Sequence, residues 1–175
     1  MSMTLIETKT LASATTAIQF NSIPQDGSDL LVLYNLRDTG TNGSFRVHET
    51  ALSLNGLTTG FTAVGLGGDG GASFGFPVTR FAGWHPDAGS TSNTFGNTCL
   101  YLTNYTGSTN KSYSIEQVTE NNGITAYASI VAGLWANTAA ITSLTLTTQG
   151  TNLAIGSTAS LYKITKGSSG GVVVS

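Results

Sequence analysis

The chain is written in short apolar bursts, each a few residues long and closed by Gly, Asn, Asp or Pro. In Ser143–Thr147, Leu144 and Leu146 alternate with Ser and Thr, the period of a strand with one buried face. Ser112–Val118 alternates only in part, with Tyr113, Ile115 and Gln117 on one parity and Ser114, Glu116 and Val118 on the other. Leu30–Leu33 is a continuous run, which predicts a strand covered on both faces. Strands are expected near Thr4–Thr10, Ala17–Phe20, Asp29–Leu36, Phe45–Leu54, Thr59–Leu66, Val78–Gly83, Thr98–Asn104, Lys111–Thr119, Ile124–Trp135, Ala140–Thr147 and Ala159–Thr165. No window of eleven or more residues carries a 3.6-residue stripe. The best helical candidate, Thr119–Ala140, is interrupted by Gly123 and Gly133 and is rich in β-branched residues.

The joints between bursts have turn chemistry. Pro24–Gly27, Leu54–Leu57, Glu120–Gly123 and Thr148–Thr151 place Asn and Gly where a turn needs positive φ. Short strands punctuated in this way predict an all-β domain. The expected architecture is an antiparallel β-sandwich arranged as a jelly roll. The domain is expected over residues 1–166, followed by a flexible Gly/Ser tail at 167–175 whose valines could add as a strand to a neighbour. Two segments break the rhythm: Gly65–Gly75 reads as a glycine-rich loop, and Gly83–Asn97 as a second long loop.

Composition narrows the function classes. Charged residues make up 9% of the 175 and the net charge is −2, against about 25% charged in an average globular chain. The clustered Lys and Arg of a nucleic-acid binder are missing, as is the basic face of a membrane-surface helix. Ile124–Tyr162 contains no ionic side chain at all. Its purely apolar pieces are a few residues long, whereas a spanning helix needs about 20. It is therefore expected to supply three strands, with leucines inward and threonines outward. Cys99 is the one cysteine, so no intrachain disulfide forms; it reads as a buried small hydrophobe. The N-terminus shows no basic stretch followed by an apolar one, so no secretory leader is expected.

Catalytic motifs occur only in letters. Gly65–Gly70 matches G-x-G-x-x-G, and Gly71–Gly75 matches G-x-S-x-G around Ser73. Both need a strand followed by a helix, and Pro77 stands where that helix would run. Neither His48 nor His85 has a partner at metal-ligand spacing, so no metal, cofactor or enzymatic activity is predicted. Trp135 ends a long apolar burst and reads as core. Trp84, His85 and Asp87, in the second loop, are the candidate ligand contacts, together with the Gly65–Gly75 loop.

Three segments, Ala17–Arg37, Leu102–Asn122 and Ile130–Ile164, resemble stretches found in virion structural proteins of tailed bacteriophages. That group comprises small β-sandwich domains of the decoration, cement or fibre type. The resemblance implies a capsid decoration protein that binds and stabilises the assembled head shell. It implies synthesis in the host cytoplasm and residence on the outer surface of the virion, on capsid or tail. The major capsid protein or another virion protein is then the expected partner, along with further copies of the chain in a homo-oligomer such as a trimer. The alternative within the same group is a tail-fibre or receptor-binding domain that recognises host-surface glycans.

Overall fold

A computed structural model describes residues 1–43, 45–120 and 126–166. The expected turn at Glu120–Gly123 and the expected tail at 167–175 fall, in whole or in part, outside those residues. The described residues form twelve strands: β1 (Ser2–Thr10), β2 (Ala17–Phe20), β3 (Asp29–Leu36), β4 (Val47–Leu54), β5 (Phe61–Gly68), β6 (Ser73–Val78), β7 (Phe81–Pro86), β8 (Gly96–Leu102), β9 (Lys111–Thr119), β10 (Tyr127–Trp135), β11 (Leu144–Thr148) and β12 (Thr158–Thr165). They contain no helix. An eight-stranded sheet has the order β1-β12-β3-β8-β9-β10-β5-β6, and a four-stranded sheet the order β2-β11-β4-β7. All pairings are antiparallel.

The two sheets enclose one core, as the strand patterns require. Leu30, Val32, Leu100, Leu102, Leu161 and Ala159 fill it from the large sheet, and Ile18, Phe20, Leu52, Leu54, Leu144 and Leu146 from the small one. In β11 the leucines are wholly buried and Thr145 and Thr147 point away, as expected. Trp135 is fully buried, and its indole N–H donates to the Thr59 carbonyl. Leu54 and Leu57 exchange both backbone bonds across Asn55 and Gly56, each at positive φ, which is the expected Asn-Gly turn.

Several expectations are corrected. The partial alternation of β9 is complete: Gln117 lies inside and Val118 outside. Leu30–Leu33 is covered on one face only, because Leu31 and Leu33 look outward from the large sheet and Leu33 is 39% exposed. Cys99 likewise faces outward, half-buried beside Glu116, and burial followed by that carboxylate pushes its thiol up. The expected strand Val78–Gly83 is split: Val78 ends β6, Thr79 and Arg80 turn with Arg80 at positive φ, and Phe81–Gly83 open β7.

The largest correction concerns Gly65–Gly75, which is a β-hairpin and not a loop. Gly65 pairs with Phe76 and Gly67 with Phe74. A Cβ on Gly65 would lie 2.2–2.7 Å from three atoms of the Phe76 ring. The phenylalanines thus fold flat over the neighbouring strand, and the glycines provide the room. Gly133 in β10 makes the same arrangement with the ring of Tyr113 in β9. Only Asp69–Ala72 turns, closed by the Asp69 N–H to the Ala72 carbonyl at 3.2 Å, with Gly70 at positive φ.

Candidate functional site

The three candidate contacts do not share one exposed loop. Trp84 and His85 lie on β7 and Asp87 follows directly. His85 and Asp87 are buried, and only Trp84 is partly open. Asp87 is a structural tie: its carboxylate accepts from the Asn42 amide at 2.6 Å and from the Gly89 and Ser90 amides at 2.8 and 3.0 Å. Beside it, the buried Arg37 guanidinium donates to the carbonyls of Ala88, Ser90, Thr91 and Thr94. Arg37 thus gathers four carbonyls of the Ala88–Thr94 segment, while Asp87 holds the Gly89 and Ser90 amides.

His85 belongs to a closed polar network. Its Nδ1 is 2.9 Å from the Thr50 hydroxyl and its Nε2 3.2 Å from the Thr148 hydroxyl, which donates to Asp38 Oδ2 at 2.6 Å. Burial depresses the imidazole pKa, and the nearby Asp38 offsets this only in part. The ring is therefore neutral. With Thr148 donating onward, Nε2 carries the proton and Nδ1 accepts from Thr50. Burial opposes ionisation of Asp38, but the nearby His85 imidazole and hydrogen bonds from Thr148 and the Gly40 and Thr151 amides outweigh it. They hold the carboxyl well below its usual range. Both imidazole nitrogens are thus engaged inside the protein. Ser73 starts β6 and opens no helix, so the G-x-S-x-G letters do not form a nucleophile elbow. Among the described residues no three His, Cys, Asp or Glu side chains group as metal ligands.

A cleft does form around Trp84. β7 lies over β8 and β9, so β10, β5 and β6 overhang the edge of the small sheet. Phe74, Phe76 and Tyr127 project from the inner side of that overhang. Trp84 meets Phe76 at 5.0 Å between ring centroids, Phe81 at 5.1 Å, Tyr127 at 5.5 Å and Phe74 at 6.2 Å. Its backbone is fixed by the other sheet: the Trp84 N–H donates to Gln117 Oε1, and the Thr119 hydroxyl donates to the Trp84 carbonyl, both at 3.0 Å. Glu49 pairs with Trp84 across the β4–β7 ladder. The resulting cleft of about 450 Å³ is lined by Trp84, Phe74 and Tyr127 together with Asn42, Phe45, Val47, Glu49 and Asp69. Asp69 Oδ1 is held by the Gly71 and Ala72 amides, which keep its carboxyl pKa low. Burial, and then the nearby Asp69 charge, raise the Tyr127 phenol.

The outer face of the large sheet is the second distinctive surface. Following the ladders, Leu5, Tyr162, Leu31, Tyr101, Ser114, Ala132, Val64 and Pro77 stand in one row across all eight strands. At about 4.8 Å per strand that row is roughly 34 Å long, and its polar groups are the Ser114 hydroxyl and the phenols of Tyr101 and Tyr162. The adjoining row runs Ser160, Leu33, Cys99, Glu116, Ile130, Leu66 and Gly75. Val64, Leu66, Val118 and Ile130 are each more than half exposed. Glu116 is the only ionic group in the two rows.

Sequence reasoning singled out Trp84 and the Gly65–Gly75 segment that carries Asp69 and Phe74, but missed Phe45, Glu49 and Tyr127, which a loop and two separate strands bring together. It also treated outward apolar residues such as Leu31 and Leu33 as buried. No family model and no curated protein matches the chain. Among solved structures it is similar to a protein of unknown function from Shewanella oneidensis MR-1. The two share 12% identity and a TM-score of 0.31, over 93% of this chain and 75% of that one.

Proposed function

We propose that the chain is a non-enzymatic structural component of a tailed-phage virion, a decoration protein that docks on the assembled head shell through the outer face of its large sheet. The observation that carries this reading is the eight-strand apolar row. A contiguous apolar surface of this kind marks an interaction site. Covering one of the half-exposed Val, Leu or Ile side chains of the two rows contributes on the order of 1 kcal/mol, so a stable contact requires most of the face to be buried at once. Binding only the assembled shell then stabilises it by mass action. The resemblance of Ala17–Arg37, Leu102–Asn122 and Ile130–Ile164 to virion proteins agrees with it.

The finer fold reading, a jelly roll, belongs to the same proposal. Strands β1-β12-β3-β8 and β2-β11-β4-β7 form two four-stranded halves whose chain order interleaves as in that architecture, which also occurs in viral capsid domains. On this reading the β5–β6 and β9–β10 pairs are insertions that widen one half, and they carry much of the docking face. A symmetric homo-oligomer, expected as a trimer, uses the long edge strand β1, where Met3 and Leu5 are 58% and 51% exposed.

The test is co-sedimentation of the purified chain with undecorated head shells, alongside native mass measurement. Ile130→Asp and Leu66→Asp should each lower shell affinity at least tenfold while leaving the thermal midpoint within a few degrees. Equal binding by wild type and both variants would overturn the docking surface.

A further inference from the structure

We propose that the cleft around Trp84 binds the ring of a neutral hexose within a glycan chain. The volume of about 450 Å³ falls in the ~300–1,000 Å³ range of small-ligand sites, which combine apolar walls with a few placed polar groups. Here the walls are Trp84, Phe74, Tyr127 and the exposed Phe45, and the polar groups are Glu49, Asp69 and the Asn42 side chain.

The ring geometry selects the ligand class. An aromatic cage for an ammonium group needs rings that face one another across a gap, each within about 6 Å of the cation. Trp84 already touches Tyr127 and Phe74, with centroids 5.5 and 6.2 Å apart and planes tilted 53° in both pairs. The rings touch one another, so no cation is sandwiched between them. They form one joined aromatic wall of the cleft, which suits the apolar C–H face of a sugar. The rim then supplies what sugar hydroxyls need, carboxylate oxygens that accept and the Asn42 amide, whose Nδ2 is steadied by the Val47 carbonyl at 2.8 Å and whose oxygen accepts.

Charge narrows the class further. Glu49 and Asp69 line the cleft and no Lys or Arg does. Arg46, next to Phe45 in sequence, turns away and donates to the Gly89 carbonyl. Two carboxylates repel uronic acids, sialic acids and phosphorylated sugars. The site is therefore selective for neutral glycans. Its platform is rigid before any ligand arrives, because the Trp84 backbone is bonded on both sides by Gln117 and Thr119 and the Asp69 carboxylate is locked in its own turn. Preorganisation of this kind lowers the entropic cost of binding.

The inference does not depend on shell docking. Phe74 and Tyr127 face the inner side of the large sheet, whereas Val64 and Ile130 face the outer side. A chain docked on a shell through the outer face leaves the cleft open.

The test is a glycan array printed with neutral hexose oligosaccharides, uronic-acid polymers and sialylated glycans, followed by calorimetry on the strongest binder. The wild-type chain should retain neutral glycans and bind anionic ones at least tenfold more weakly. Glu49→Ala, at an exposed position, should weaken the neutral ligand at least tenfold with no change in thermal midpoint, and Phe45→Ala should act in the same direction. Ile130→Asp should leave glycan binding intact while removing shell binding, so the two proposals fail separately. Absence of neutral-hexose binding at millimolar concentration, preference for anionic glycans, or insensitivity to both cleft variants would each overturn the proposal.

Discussion

The glycine–aromatic pairs of the β5–β6 hairpin make a sharp prediction. In Gly65→Ala, the new methyl would sit 2.2–2.7 Å from three atoms of the Phe76 ring, well inside van der Waals contact. The ring must tilt away, yet it is packed 5.0 Å from Trp84 and 5.5 Å from Phe81. Overpacking of this sort costs about 1–3 kcal/mol. Replacing a strand glycine by alanine returns roughly 0.5–1 kcal/mol through reduced backbone freedom. The net expectation is a destabilisation of about 1–2 kcal/mol, or roughly 2–8 °C in thermal midpoint for a chain of this length. Gly75→Ala is the matched control on the same hairpin. Its Cβ meets nothing closer than the Gly65 carbonyl oxygen at 3.9 Å, so it should be neutral or slightly stabilising. Combining Gly65→Ala with Phe76→Leu should cost less than the sum of the two single changes, because the clash needs both partners. Thermal and urea unfolding of the four variants decide the matter. Equal midpoints for Gly65→Ala and Gly75→Ala would refute the argument that the ring, and not turn formation, is what demands glycine at 65.

Two further predictions follow from buried polar groups. Arg37→Leu removes the donor to the Ala88, Ser90, Thr91 and Thr94 carbonyls and should destabilise by about 2–3 kcal/mol, with amide exchange accelerated first in residues 88–95; unchanged exchange there would contradict the staple. The Asp38–His85 network sets the acid response. The imidazole pKa is depressed on folding, so the unfolded chain takes up the proton first, from about pH 6.5 downward. The Asp38 carboxyl is also depressed, and its stabilisation, complete above about pH 4, is lost only as pH falls further. Thermal midpoints should therefore decline from pH 7 to 5, and His85→Asn should flatten that part of the curve; an unchanged slope would show that another group controls it.

The strands were legible where one face alone is apolar, as in β11, whose Leu144 and Leu146 alternate with threonines. They were misread where the usual meaning of a residue is reversed by a partner distant in sequence. Gly65 and Gly67 look like loop residues until Phe76 and Phe74 are laid across them. Leu31 and Leu33 look doubly buried until their outward row is traced over eight strands. The region of Trp84 reads as a loop because Gly83, Pro86 and Gly89 surround it, yet β7 is held as a strand partly by the Gln117 and Thr119 side chains of the other sheet. Glu49 and Tyr127 carry no local signal, since the ladder register and the overhang alone bring them to Trp84.

The outer face has a consequence for the conditions under which any association through it holds. With Glu116 as its only ionic group across two ladder rows, such a contact gains little from Coulomb attraction and loses little to screening, so its strength should hardly change between low and high salt. Its driving force is the release of water from apolar surface, which brings a negative heat-capacity change and weakens on cooling. A complex built on this face therefore comes apart in the cold more readily than in brine.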